Sequence, residues 1–197
     1  MLVTPVWLAE RLGDPELVVL DMRWDEHGTG RARYEQGHVP GARFLDWATH
    51  LVDPDHPVAF MLAPPGRFQK ELERRGISDS TEIVAYADAG HSGPFRLWWG
   101  CRAYGHSDQV RILDGGFDAW LAEDRPVTTE VPEPEPGSWT PLSEPRVVAS
   151  ADDVAAAESD EQIVVLDSRE PAKFRGEVVW FETGEIPSGA DGVAHTP

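Results

Sequence analysis

Cysteine is nearly missing from this sequence: Cys101 is the only one in 197 residues. No intrachain disulfide can form, so stability has to come from packing and polar contacts. Basic residues are also few, 17 against 35 acids, for a formal net charge of −18. The excess is steepest after residue 129, where 15 acids face 4 bases. Such a surface argues against nucleic acid as a partner, because phosphate backbones are held by lysine and arginine. It argues against anionic membranes for the same reason. An anionic substrate would need a local positive pocket inside a repelling field. No apolar run approaches the roughly 20 residues that span a bilayer. The amino terminus, MLVTPVWLAERLG, lacks the basic segment and apolar run of a signal peptide. These absences point to a soluble, cytoplasmic protein.

What is present is a repeat. Residues 18–23 read VVLDMR and residues 164–169 read VVLDSR, at an offset of 146 without a gap. Upstream, Thr4 falls on Ser150, Leu8 on Val154, Asp14 on Asp160 and Leu17 on Ile163. A period of this size is that of a domain. The expected organisation is a complete domain over 1–128, a Pro/Glu-rich linker over 129–146, and an incomplete second domain over 147–197. Eight tryptophans supply large apolar area for the first core.

Along the first copy, Thr4-Pro5 followed by Val6, Trp7 and Leu8 predicts an N-capped helix. Residues 17–20 form a continuous apolar run, expected of a parallel strand covered on both faces. Further strands are expected at 82–86 and 110–113, with a short one after the HVPGA turn at 38–42. Helices are expected at 66–75, after the loop 88–94, and at 115–121. Alternating strands and helices predict an α/β fold with a parallel sheet. Six prolines between 126 and 145, with VPEPEPGSWTP among them, predict an extended polyproline-like linker that is not packed. A helix over 150–157 and a strand over 163–166 then restart the pattern.

Ligands of open parallel sheets bind beyond the carboxyl ends of the strands. The loop after 82–86 carries Gly90 and Gly93 and leads into a helix, so its amides are expected to cradle an anion. Asp88 lies in that loop as a surface acid, and no cysteine does. Cys101 falls in an apolar helical stripe with Leu97 and Trp98, the pattern of a buried structural thiol. Gly90-His91-Ser92-Gly93-Pro94 approximates a nucleophile elbow, but the fifth residue is proline and no partner acid and histidine are placed. His50, Asp53, Asp55 and His56 could be read as metal ligands, but Pro54 and Pro57 break any calcium-loop spacing, so no metal is expected.

The segments VVLDMRWD, GRARYEQGHVPGARFLDW, HLVDPDHP, ELERRGIS, EIVAY, RLWWGCRAYGH and RILDGGFDAW, with VVLDSREPAKFRGE at 164–177, resemble the tandem-domain rhodaneses. These are the thiosulfate and 3-mercaptopyruvate sulfurtransferases. The resemblance implies a five-stranded parallel sheet with helices on both faces, plus a partial second domain of the same kind. It implies a cysteine persulfide that takes a sulfane sulfur from thiosulfate or 3-mercaptopyruvate and passes it to cyanide or another thiophile, with no cofactor. A lowered thiol pKa at a helix N-terminus suits that chemistry. In such proteins the first domain is usually non-catalytic, and Ala87 stands here where an active domain places its cysteine. Arg169 and Lys173 match family residues that bind the substrate anion. Trp24 matches a tryptophan in the cleft between domains. GEIPSGA at 184–190 is similar to the family's GHIPGA turn without its histidine, and 177–197 is read as an insertion ahead of the true turn. The chain is then expected to end before the catalytic loop and to be inactive alone. The incomplete second domain could promote self-association. The alternative is a non-catalytic rhodanese-like binding or regulatory module.

Overall fold

The computed structural model describes residues 1–106, 108–142 and 147–177. Five strands form one all-parallel sheet: β1 (Leu2–Val3), β2 (Leu17–Asp21), β3 (Arg43–Phe44), β4 (Glu82–Tyr86) and β5 (Val110–Leu113), in the order β1-β5-β4-β2-β3. The central pair is in register from Leu17 on Glu82 to Asp21 on Tyr86. Six helices accompany it: α1 (Pro5–Ala9), α2 (Gly30–Gln36), α3 (Trp47–His50), α4 (Pro65–Glu73), α5 (Gly93–Ala103) and α6 (Gly116–Ala122). The parallel five-stranded sheet agrees with the expected architecture.

Strand periodicity divides the core in two. Val18, Leu20, Ile83 and Ala85 face α3, α4 and α5 through Trp47, Phe68, Leu72, Leu97 and Cys101. Leu17, Val19, Val84 and Tyr86 face α1 and α6 through Leu8, Phe117 and Trp120. Burial of both faces is why β2 carries no polar residue before Asp21. Thr4 caps α1 by accepting from the Trp7 amide at 3.2 Å. Helices α2 and α3, and strand β1, lie outside the elements the sequence indicated; each is short and lacks a periodic apolar pattern.

The proline-rich segment requires a correction. It is extended, as its prolines demand, but it is packed. Trp139 is fully buried against Phe68 and His106, and its indole N–H donates to Gln109 Oε1 at 2.8 Å. Gly137 N donates to Glu73 O at 2.8 Å, and Asp79 N to Ser138 O at 3.1 Å. A side chain at 137 would meet the Ile77 carbonyl oxygen at 2.1 Å, so only glycine allows this approach. One large aromatic anchor holds a chain that composition alone marks as detached.

After residue 146, α7 (Ala151–Ala157) and α8 (Pro171–Phe174) follow. Ser150 caps α7 by accepting from Asp153 N at 3.1 Å, at positions offset by 146 from Thr4 and Trp7. The strand expected over 163–166 is absent among the described residues. Ile163 is 52 % exposed and Leu166 85 %, with no neighbouring strand against them. An isolated apolar strand has no ladder partner to fix it. The GEIPSGA turn at 184–190 lies outside the described residues.

Candidate functional site

The carboxyl ends of β2 and β4 meet at a buried ionic knot. Asp21 closes β2 and is fully buried; Arg23, two residues on, is 4 % exposed. Arg23 Nε donates to both carboxylate oxygens, at 3.1 and 3.0 Å, and Nη2 donates at 2.7 Å. Nη2 also reaches the Gly37 carbonyl at 2.6 Å, beyond the end of α2. Tyr86, the last residue of β4, donates its hydroxyl to Asp21 at 2.7 Å and accepts from the Val39 amide at 3.1 Å. Burial and the Asp21 carboxylate push the Tyr86 hydroxyl well above its ordinary pKa, so it remains a donor. The guanidinium lies over the Phe117 ring at 4.1 Å. With Nε and Nη2 bonded and both charges buried together, this pair holds the carboxyl end of the sheet rather than meeting a ligand.

Residues 87–93 bridge β4 and α5. Ala87 is buried, and its carbonyl accepts from Phe117 N at 2.8 Å. Asp88 is gripped in bidentate fashion by Arg33 of α2, with Nη1 to Oδ2 at 2.9 Å. Arg33 is the contact that sequence reasoning missed, because nothing local links residues 55 apart. Asp118 takes the Ala89 amide at 2.7 Å, Asp88 O takes the His91 amide at 3.1 Å, and His91 Nδ1 takes the Gly93 amide at 3.1 Å. The expected anion cradle is therefore corrected: these three amides already donate within the protein, and two carboxylates, Asp88 of the loop and Asp118 of α6, stand beside it. Ser92 has ordinary helical angles, φ −81° and ψ −9°, not the strained turn of a nucleophile elbow.

Trp24 is half-buried beside this loop, with ring centroids 5.2 Å from Trp47 and 5.9 Å from His91. Burial, more than the neighbouring Arg33, pushes the His91 imidazole pKa down. Cys101 is fully buried between α5 and the sheet, and desolvation pushes its thiol far above the usual range. It is a packing residue with no accessible thiolate. His50 accepts the Asp46 amide and faces the Arg75 guanidinium at 3.0 Å, a cationic surrounding unsuited to a metal ligand. Asp53 caps its own turn through the Asp55 amide.

In the C-terminal segment, Arg169 folds onto Asp167 with the same fork that Arg23 makes on Asp21: Nε at 3.0 and 2.9 Å, and the backbone amide at 2.9 Å. Here the pair is exposed. Lys173 lies 3.6 Å from Glu170 across one turn of α8.

Residues 4–123 match the rhodanese-like domain family. The chain is 33 % identical to a thiosulfate sulfurtransferase of Cricetulus griseus, over 96 % of its own length and 68 % of that protein. It is 31 % identical to a 3-mercaptopyruvate sulfurtransferase of Homo sapiens, over 100 % and 68 % respectively. The crystal structure of SseA from Escherichia coli, described with the rhodanese fold and the mechanism of 3-mercaptopyruvate sulfotransferases, superposes with a TM-score of 0.82. It shares 30 % identity, over 95 % of this chain and 72 % of that one. The chain thus spans about two-thirds of the length of the curated relatives it matches.

Proposed function

The chain belongs to the rhodanese family, and on that premise we propose that it supplies the non-catalytic domain of a two-domain sulfurtransferase and does not itself carry the persulfide. The observation that supports this most is the end of β4. Where a persulfide-forming cysteine would stand there is Ala87, and the following loop is closed by the Arg33–Asp88 pair. Sulfane sulfur would be taken from thiosulfate or 3-mercaptopyruvate by a cysteine on a second, catalytic domain and delivered to cyanide or another thiophile. In that step the thiolate attacks the outer sulfur of the donor. A persulfide S–S bond forms: from thiosulfate the S–S bond breaks and sulfite leaves with its electron pair, and from 3-mercaptopyruvate the C–S bond breaks and pyruvate leaves as its enolate, which takes up the proton given up by the donor thiol.

Arg169 and Lys173 are proposed to face the same cleft as Trp24, where their charges would attract the donor anion. Both would have to turn toward the anion from their present carboxylate neighbours, Asp167 for Arg169 and Glu170 for Lys173. A cytoplasmic setting and self-association through the exposed run 163–166 complete the proposal.

The test is thiosulfate:cyanide sulfurtransferase turnover of the isolated chain. No thiocyanate above the uncatalysed rate is expected. Turnover that disappears in Cys101→Ala would overturn the reading. For the cleft, cysteines introduced at Trp24 and Lys173 in a Cys101→Ala background should be joined by a short bifunctional reagent; failure to cross-link defeats the shared-cleft placement.

A further inference from the structure

A second feature stands apart from the β4–α5 loop, beyond edge strand β3. Four arginines, Arg31, Arg43, Arg74 and Arg75, line one open pocket of about 260 Å³ together with His50 and Glu71. In a chain of net charge −18 such a gathering of one sign is unexpected. Among the described residues two carboxylates answer it. Glu71 pairs with both Arg74 and Arg75, each at 3.0 Å, and Glu35 pairs with Arg31 at 2.7 Å. Arg43 has no carboxylate partner among them. Its Nη1 donates to the Arg75 carbonyl, and its Nε is buried without a hydrogen-bond partner. A buried guanidinium N–H without an acceptor is costly unless something supplies one.

The far wall is the proline-rich run 131–134. Val131, Pro132 and Pro134 line the pocket, whereas Glu133 is exposed and is not part of the lining. The wall therefore adds shape without adding negative charge. Its position is fixed by Trp139, so the pocket is formed before any ligand arrives.

We propose that this pocket binds a small divalent tetrahedral oxyanion, of the kind shared by sulfate, thiosulfate and hydrogen phosphate. Guanidinium groups present only donors, in a planar fork that matches two oxygens of such an ion. The volume admits one such ion with a few waters. The site takes none of the residues assigned to sulfur transfer, so it stands or falls independently of that reading.

Sodium sulfate, thiosulfate and phosphate are each titrated calorimetrically into the chain in a low-salt chloride buffer, where screening is weak. The three arms show which oxyanion the pocket prefers. One-site saturable binding is expected for at least one of them, with a matching rise in melting temperature. Arg31 and Arg74 are 56 % and 70 % exposed in their side chains, so Arg31→Gln with Arg74→Gln should fold normally and weaken binding at least about tenfold. Arg102→Gln, at an exposed position of α5 outside the pocket, should leave the affinity unchanged. Absence of saturable binding with all three ions, or equal affinity in the double variant, overturns the proposal. Loss of binding in Arg102→Gln also overturns it, because the affinity would then follow overall charge and not this pocket.

Discussion

Arg23 holds Asp21 by a fork of three hydrogen bonds, 2.7–3.1 Å long, at the buried carboxyl edge of the sheet, and Arg169 repeats that fork on Asp167 at the surface. The chemistry is the same and the surroundings differ. Around Arg23 the knot also joins β4 through Tyr86 and the end of α2 through Gly37.

Removing one partner of the buried pair leaves the other charge without compensation. Arg23→Ala is expected to cost about 3–5 kcal/mol of folding stability. Arg169→Ala should change it far less, because both its charges are already solvated. Urea unfolding of the two variants makes the comparison, and equal losses would refute the distinction between a buried and an exposed fork.

Trp139→Ala removes the anchor of the proline-rich segment. About 3–5 kcal/mol of stability should go with it, as for other buried tryptophans. Limited proteolysis gives the more specific signature. In the native chain residues 126–142 should resist cleavage together with the sheet, whereas in the variant cutting should begin there.

The Cys101 thiol carries a pH signature. Burial raises its folded-state pKa far above that of the unfolded chain, which lies near about 8.5. Below that pH both states hold the proton and the site adds no slope. Above it the unfolded chain releases a proton that the folded chain keeps, so stability falls with rising pH, by about 1.4 kcal/mol per pH unit. Denaturant unfolding between pH 8 and 10 should show this slope in the native chain and lose it in Cys101→Ala. Parallel curves would mean that the thiol is not desolvated.

Much of this was legible in the sequence. The apolar run at 17–20 marked a strand covered on both faces, Thr4-Pro5 marked a cap, and the stripe around Cys101 marked a core thiol. These signals are local, and local chemistry decides them. The contacts that shape the loop are not local. Arg33 reaches Asp88, Asp118 reaches the Ala89 amide, and Trp139 crosses to Gln109, each through a fold that must exist first. The Pro/Glu-rich segment misled for a related reason: composition reports backbone preference, whereas one buried indole decided its packing. The run at 163–166 reads as a strand by composition, yet a strand also needs a neighbour.

A non-catalytic role requires that the folded chain have no thiol able to accept sulfur, and intact-mass measurement after incubation with thiosulfate tests this most directly. The folded chain should keep its unmodified mass, and Cys101 should stay unlabelled by alkylating reagent until denaturant is added. A mass increase of one sulfur atom on the native chain, mapped to Cys101 and discharged by cyanide, would contradict it.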